Sequence, residues 1–108
     1  MKRIEVDSYD EFLDMVKAEN FDLSETIVNT ILDNYKTYLE NPSEVKRHIP
    51  AFEIDAADEK DLLYLSVDME DALDALEKNL RFFEKYEDYE GCGNIVEAIS
   101  FIKQHKNS

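Results

Sequence analysis

The sequence predicts a mainly α-helical single domain covering residues 1–108, and three observations support this fold class. Hydrophobic residues make up 44% of the chain, which is enough for one core at this length. There are only two glycines and two prolines, so long elements with short connections are expected. Apolar residues also recur at helical spacing along most of the chain. We therefore expect about four principal helices, packed as two helical hairpins.

The first helix is predicted to run from Ser8 to about Ala18. Ser8 and Glu11 have the spacing of a capping box, in which each side chain bonds a free backbone amide at the helix start. Apolar residues then follow at the spacing of one helix face. This predicted buried stripe consists of Tyr9, Phe12, Leu13 and Val16.

The second helix is predicted to start after Ser24, a favourable N-cap residue, and to end near Leu39. Asn41-Pro42 stops it, because the residue before a proline avoids helical geometry. Its predicted inner stripe is Val28, Ile31, Leu32, Tyr35 and Leu39, widened by Ile27 and Tyr38. A short helical turn over residues 43–48 is expected before Pro50.

The third helix is the longest predicted element, capped by Asp68 and extending from Met69 to about Tyr89. Its apolar seam has alternating spacings of four and three residues, which is typical of helix-on-helix packing. The seam contains Met69, Leu73, Leu76, Leu80 and Phe83, and Phe82, Tyr86 and Tyr89 are expected to extend the apolar face.

The last helix is predicted to follow a turn at Gly91-Cys92-Gly93, since glycine suits the position after a helix end. Asn94 is its expected cap, and its inner stripe is expected to be Ile95, Val96, Ile99 and Ile102. The last two helices should form an antiparallel hairpin.

The alternative fold class is α+β, with a small two- or three-stranded antiparallel sheet built from residues 2–6, 51–55 and 62–67. All three segments alternate apolar and polar residues with the period of a strand. Residues 57–61 would then form a hairpin loop. The competing interpretation turns residues 59–65 into the start of the next helix, and the sequence leaves both open.

The expected compartment is a reducing, cytoplasmic one. The single cysteine, Cys92, cannot form an internal disulfide. The N-terminus turns acidic before an apolar stretch forms, which does not resemble a signal peptide, and no apolar run approaches the length of a membrane span. We therefore expect no membrane association.

Motifs for catalysis, metals or cofactors are not found. The nearest approach to a calcium loop is Asp88–Ile99, which has Cys92 at the fifth position and Ile99 at the twelfth, where ligands are required. Glu44 and His48 are four residues apart, but no second pair completes a zinc or di-metal site, and His105 lies near the C-terminal end. The sequence thus predicts a protein that is not an enzyme and binds no cofactor or metal.

The most informative feature is a concentration of acidic residues. Residues 53–77 contain ten acidic side chains and one basic one, which gives a net charge of −9, whereas the whole chain carries −14. Such a field disfavours direct nucleic-acid and membrane binding and favours cationic surfaces. The predicted partner-binding residues are Glu53, Asp55, Asp58, Glu59, Asp61, Tyr64, Asp68, Glu70, Asp71 and Asp74.

These properties favour a non-enzymatic inhibitor that covers a basic protein partner, for example a nuclease toxin. In size and composition the chain is similar to small acidic bacterial immunity proteins, which implies neutralisation of such a toxin. Two alternatives stay open. One is a DNA mimic of the anti-restriction type, whose carboxylates replace phosphates, and the other is a small helical adaptor or assembly subunit. The sequence does not indicate an oligomeric state.

Overall fold

The computed structural model describes residues 1–18 and 20–106, and in this part of the chain it has three strands and four α-helices. The strands are β1 (Lys2–Val6), β2 (His48–Ala56) and β3 (Leu63–Asp68). The helices are α1 (Tyr9–Lys17), α2 (Phe21–Glu40), α3 (Ala72–Lys85) and α4 (Tyr89–Lys106), and a 3-10 turn over Met69–Asp71 leads into α3. No helix among these residues combines the length and apolar character needed to cross a membrane.

The four predicted helices are present, and with the sheet the α+β alternative is closer to the structure than the mainly α-helical prediction. The strands form one sheet in the order β1-β2-β3, in which β2 and β3 are antiparallel as predicted. The prediction of an entirely antiparallel sheet is wrong, because β1 pairs with β2 in parallel. The reason is the connection: α1 and α2 together form a long crossover that brings the chain back to start β2 in the same direction as β1.

One face of the sheet is buried against the helices and the other is open. Ile4, Phe52 and Ile54 point inward and are buried, since β1 and β2 pair Ile4 with Ile54 in register. Helix α2 packs against β2 and β3 on this side. The residues that alternate with them, such as Glu53 and Tyr64, form the outer face of the sheet.

Helices α2, α3 and α4 pack together. Phe21 at the start of α2 contacts Phe83 near the end of α3, with ring centroids 5.0 Å apart. Farther along α2, the ring of Tyr35 meets Phe101 of α4 edge-on at 5.5 Å. The predicted α3–α4 hairpin is confirmed, as are the buried residues of its seam, Met69, Leu76 and Phe83.

The other predicted hairpin, between α1 and α2, is wrong. Helix α1 packs against β1, and of its predicted stripe only Phe12 is buried. Val16 is 48% exposed, and Phe12 is the one buried residue of this nine-residue helix. Val96 of α4 was likewise expected inside and is 53% exposed.

Helix α2 begins four residues earlier than predicted. The side chain of Asn20 accepts hydrogen bonds from the amides of Asp22 and Leu23 at 2.9 and 3.3 Å, so Asn20 is the N-cap. Ser24 lies inside the helix, where its hydroxyl donates to Asn79 of α3. The earlier start adds Phe21 and Leu23 to the packed surface, which explains why this cap is favoured over Ser24.

Helix α3 ends at Lys85, four residues before the predicted end at Tyr89. Glu87 adopts a left-handed conformation (φ 57°), and the amide of Asp88 donates to Phe83 at 2.9 Å, a Schellman-type ending. The predicted turn at Gly91-Cys92-Gly93 is therefore wrong, because these residues lie within α4. A Cβ at Gly91 would lie 2.5 Å from the ring of Phe83, so this glycine serves the close approach of two helices.

The predicted helical turn over residues 43–48 is shorter than expected. The amide of Glu44 donates to Asn41 at 2.9 Å, which closes a single turn. Strand β2 then begins at His48 and includes Pro50. The register of β2 against β3 shifts between Pro50 and Phe52, and this irregularity accommodates the proline in the strand.

Candidate partner-binding surface

The predicted partner-binding residues fall into two groups at opposite ends of β3. We call the first the upstream group, which comprises Glu53, Asp55, Asp58, Glu59, Asp61 and Tyr64. The downstream group comprises Asp68, Glu70, Asp71 and Asp74. Strand β3 runs between them, and a strand of this length spans roughly 17 Å. The acidic run in the sequence is therefore two separate surfaces in the fold.

On the outer face of the sheet, Arg3 partly neutralises the upstream group. Its guanidinium Nη2 donates to Oδ2 of Asp55 at 2.7 Å, and Nη1 lies 3.9 Å from Oε2 of Glu53. Glu5 is also in reach, with Oε1 3.7 Å from Nε of Arg3. The hydrogen bond to Asp55 is the main cause that raises the pKa of Arg3.

Sequence reasoning missed Arg3 because only the parallel register of β1 and β2 places Arg3 beside Glu53. The alternation of Ile4 and Val6 indicated a strand, but it did not indicate the partner strand or its direction. The three carboxylates of Glu5, Glu53 and Asp55 surround the one guanidinium of Arg3, so the outer face has a net negative charge. Tyr64 pairs with Glu53 across β2 and β3, and it is 55% exposed.

The loop between β2 and β3 carries the rest of the upstream group. Oδ1 of Asp58 accepts a hydrogen bond from the amide of Tyr9 at 3.2 Å, which ties this loop to the start of α1. The side chains of Glu59 and Asp61 are exposed and make no hydrogen bond or ion pair with the residues that the structure describes. They are thus the carboxylates most available to a partner.

In the downstream group, Asp68 is held within the fold. Its two carboxylate oxygens accept from Nε and Nη2 of Arg47 at 2.9 and 3.0 Å, and Oδ1 also accepts from the amide of Glu70 at 3.0 Å. The bidentate guanidinium contact, followed by the amide of Glu70, lowers the pKa of Asp68 to about 2. This cluster fixes the junction between β3 and the turn that leads into α3.

The other downstream residues also have structural positions. Glu70 accepts a short hydrogen bond from the hydroxyl of Tyr38 on α2, and this bond raises the pKa of Tyr38. Oδ2 of Asp74 lies 3.0 Å from Nζ of Lys78, which is one turn farther along α3. Asp71 immediately precedes α3, where the helix dipole favours a negative charge. The downstream group therefore has local reasons to be acidic.

A third acidic surface was missed at the corner between α3 and α4. Tyr86 and Tyr89 were expected to extend the apolar face of the third helix, but they are 53% and 72% exposed. They are interleaved with Glu87 and Glu90, which are exposed as well. The alternation of tyrosine with acids over residues 86–90 is the signal that could have indicated a surface position.

Two observations concern metal binding and thiol chemistry, namely the placement of the metal-ligating side chains and the surroundings of Cys92. No group of three or more His, Cys, Asp or Glu is placed to hold a metal ion within residues 1–18 and 20–106. Burial raises the pKa of the Cys92 thiol, and the nearby charges of Glu84 and Asp88 raise it further. The thiol of Cys92 is therefore in its weakly nucleophilic protonated form at neutral pH.

Comparisons of the chain with protein-family models, with curated proteins and with solved structures gave no match. The interpretation of this surface therefore depends on its geometry and charge.

Proposed function

We propose that the protein is a non-enzymatic acidic binding module that neutralises a basic protein partner, for example a nuclease toxin, as an immunity protein or antitoxin does. The observation that carries this proposal is the upstream group. Glu59 and Asp61 are exposed without a cationic partner among the described residues, and Tyr64 is exposed on the adjoining strand. Anionic charge without an internal partner is available to an external one.

The carboxylates and the tyrosine of this surface would contribute to binding in different ways, as they do at protein interfaces in general. Exposed carboxylates accelerate encounter with a basic partner and select against acidic ones, but they add little affinity individually. A tyrosine supplies a large, rigid contact area and a hydroxyl at low entropic cost. We therefore assign steering to Glu59 and Asp61 and anchoring to Tyr64.

An adaptor function is the second candidate, and one observation favours it. The corner at residues 86–90 exposes Tyr86 and Tyr89 beside acidic side chains, which suits a contact with another protein. This corner lies outside the upstream group, so variants can separate the two candidates. Substitution of both tyrosines would impair an adaptor contact and leave binding through the upstream group intact.

The test is a pull-down from native extract with three versions of the protein as bait, each at low and high salt. The binding variant is Glu59→Lys with Asp61→Lys. The matched control is Asp71→Lys with Asp74→Lys, which changes the net charge by the same amount from −14 to −10. We expect a basic protein to be captured by the wild type at low salt and to be released at high salt, because screening weakens exposed charge pairs.

The binding variant should lose about tenfold in affinity for this protein, and the control should lose much less. Circular dichroism of both variants shows whether each is folded. Equal losses in the two variants would mean that net charge alone governs capture and that the upstream group is not the binding surface. Capture of the same protein without change by the binding variant would reject the proposal.

A further inference from the structure

The two edges of the sheet differ in how well they are protected against pairing with another strand. Along its five residues, β1 carries the charged side chains of Lys2, Arg3 and Glu5. Charged residues on an edge strand are a common means of preventing the addition of a further strand. The segment 63–67 of β3 has no charged residue and no proline, and no strand among the described residues pairs with its outer edge.

The side chains of β3 also leave apolar surface available at this edge. Tyr64 is exposed on the outer face, and Leu62, which immediately precedes β3, is exposed as well. Leu65 points toward the helices, because it pairs with the buried Phe52 across the sheet, but it is only partly covered. The outer edge of β3 therefore has free main-chain groups between two partly exposed faces.

An apolar groove continues from the inner face of β3 toward the helices. It has a volume of about 180 Å³, several times the roughly 30 Å³ that one water molecule occupies. Its apolar lining comes from α1, α2, β3 and α3, and consists of Val16, Leu23, Ile27, Leu65 and Phe82. The hydrogen bond of 2.5 Å between Ser24 and Asn79, which also line it, leaves these two polar side chains paired.

We propose that β3 accepts an extended segment of the basic partner as a fourth strand of the sheet. Main-chain hydrogen bonds to the free edge of β3 would supply affinity, as in β-strand addition generally. Because side chains alternate between the two faces of a strand, every second residue of the segment enters the groove. This inference rests on the proposed function, since it describes how the partner of the upstream group is held.

Charge decides which residues of the segment face each way. Phe82 also lines a neighbouring pocket together with Lys78, Arg81 and Lys85. Of these cations Lys78 is paired with Asp74, and the charges of Arg81 and Lys85 disfavour a cationic side chain at the α3 side of the groove. On the outer face, an added strand lies about 10 Å from β2, within reach of a lysine or arginine that extends over Tyr64 toward Glu53. The segment should therefore alternate apolar residues inward with basic residues outward.

The same charges argue against a second copy of this chain as the occupant. Pairing of β3 with β3 of another copy would bring two anionic outer faces into one continuous sheet. Each copy also carries a net charge of −14, so association must overcome repulsion. A basic strand relieves this repulsion, and we commit to it as the occupant.

The test uses a defined probe, the peptide acetyl-(Lys-Val)4-amide, with acetyl-(Glu-Val)4-amide as the charge-reversed control. Amide hydrogen exchange is measured for residues 63–67 with and without saturating peptide. We expect the lysine peptide to slow exchange of the outward amides of β3 by about tenfold or more, since these amides become hydrogen-bonded. The glutamate peptide should leave them unchanged.

Two exposed valines supply matched variants for the groove. Val16→Asp places a charge at the mouth of the groove, and Val96→Asp places the same charge on α4, at a position of similar exposure. Val16→Asp should weaken binding of the lysine peptide about tenfold, because a carboxylate would be desolvated by the inward valines. Val96→Asp should bind as the wild type does.

Several outcomes would overturn the proposal. If the peptide binds without slowing exchange at 63–67, or if Val16→Asp binds as tightly as Val96→Asp, the edge and the groove are not the docking site, although the proposed function survives. Protection of 63–67 that rises with protein concentration in the absence of peptide would make a second copy the occupant. If neither peptide binds while the pull-down variants still separate as expected, the partner is held without strand addition.

Discussion

The upstream and downstream acidic groups are adjacent in the sequence, yet they differ in what their carboxylates contact. In the downstream group, Asp68 accepts hydrogen bonds from Arg47, and Glu70 accepts one from the hydroxyl of Tyr38. Asp74 forms an ion pair with Lys78. Upstream, Glu59 and Asp61 contact no cation among the residues that the structure describes. Most of the downstream charges are therefore used by the fold itself, whereas Glu59 and Asp61 of the upstream group are available for contacts outside it.

This difference shows that density of charge along a sequence is a poor guide to a binding surface. Ten acids in 25 residues appear as one feature until the fold separates them. What distinguishes a structural carboxylate from an available one is the presence of a donor within hydrogen-bond distance. Both Arg3 and Arg47, which provide such donors, lie outside the acidic run.

The largest loss of stability is expected for a substitution in the core beneath the sheet, which separates the upstream and downstream groups. Phe52 is fully buried behind the outer face and pairs with Leu65 in β3. Phe52→Ala should lower the free energy of unfolding by about 3–5 kcal/mol, through lost burial and the cavity that remains. Urea denaturation followed by circular dichroism measures this change. A cost below about 1 kcal/mol would mean that the sheet is not anchored through this residue.

The next largest loss of stability is expected for substitution of Asp68, and its size depends on pH. Its pKa is about 2 in the folded protein against an ordinary value of 3.8, so the folded state favours the carboxylate. The resulting stabilisation is fully present above about pH 5 and is lost as the pH falls toward 2, because the unfolded chain takes up the proton first. Asp68→Asn should therefore have a lower urea midpoint than the wild type at neutral pH.

The comparison between Asp68→Asn and the wild type should be made across the acid range. The difference between their urea midpoints should shrink steadily between about pH 5 and pH 2. The variant Asp71→Asn is the matched control, because Asp71 makes no capping hydrogen bond through its side chain. A difference for Asp68→Asn that stays constant down to the acid end of this range would show that the carboxylate is not held by Arg47.

The smallest effect on stability is expected for Tyr64. This side chain is half-exposed, and its removal costs at most a cross-strand contact with Glu53. Tyr64→Ala should change the free energy of unfolding by about 0.5 kcal/mol or less, while it weakens capture of the basic partner. Denaturation and pull-down on the same preparation check both parts. A large loss of stability with unchanged capture would show that Tyr64 stabilises the fold and does not contact the partner.

Much of the fold could be predicted because local signals determined it. The capping at Ser8, the seam of α3 and the strand period of residues 2–6 depend on neighbours along the chain, and all three are found in the structure. The predictions failed where distant contacts decided the outcome. Gly91 indicated a turn in the sequence, but its role is to let α4 approach Phe83 of α3.

The candidate site was predictable to a smaller degree. Composition indicated an anionic surface and the upstream residues, but the parallel pairing that brings Arg3 to Asp55 joins residues 52 positions apart. The apolar groove was beyond sequence reasoning for the same reason, since its lining combines one residue of α1 with residues of α2, β3 and α3. Val16 was expected in the buried stripe of the first helix, and instead it lines a groove whose other walls come from α2, β3 and α3.

The most direct test of the difference between the two groups is to measure binding and stability for the same two variants. One is Glu59→Lys with Asp61→Lys, and the other is Asp68→Asn. Our account predicts that the first loses capture of the basic partner and keeps the wild-type urea midpoint at neutral pH, and that the second keeps capture and loses stability. If Asp68→Asn loses capture while folded, or if the double lysine variant captures the partner as the wild type does, the assignment of binding to the upstream group is contradicted.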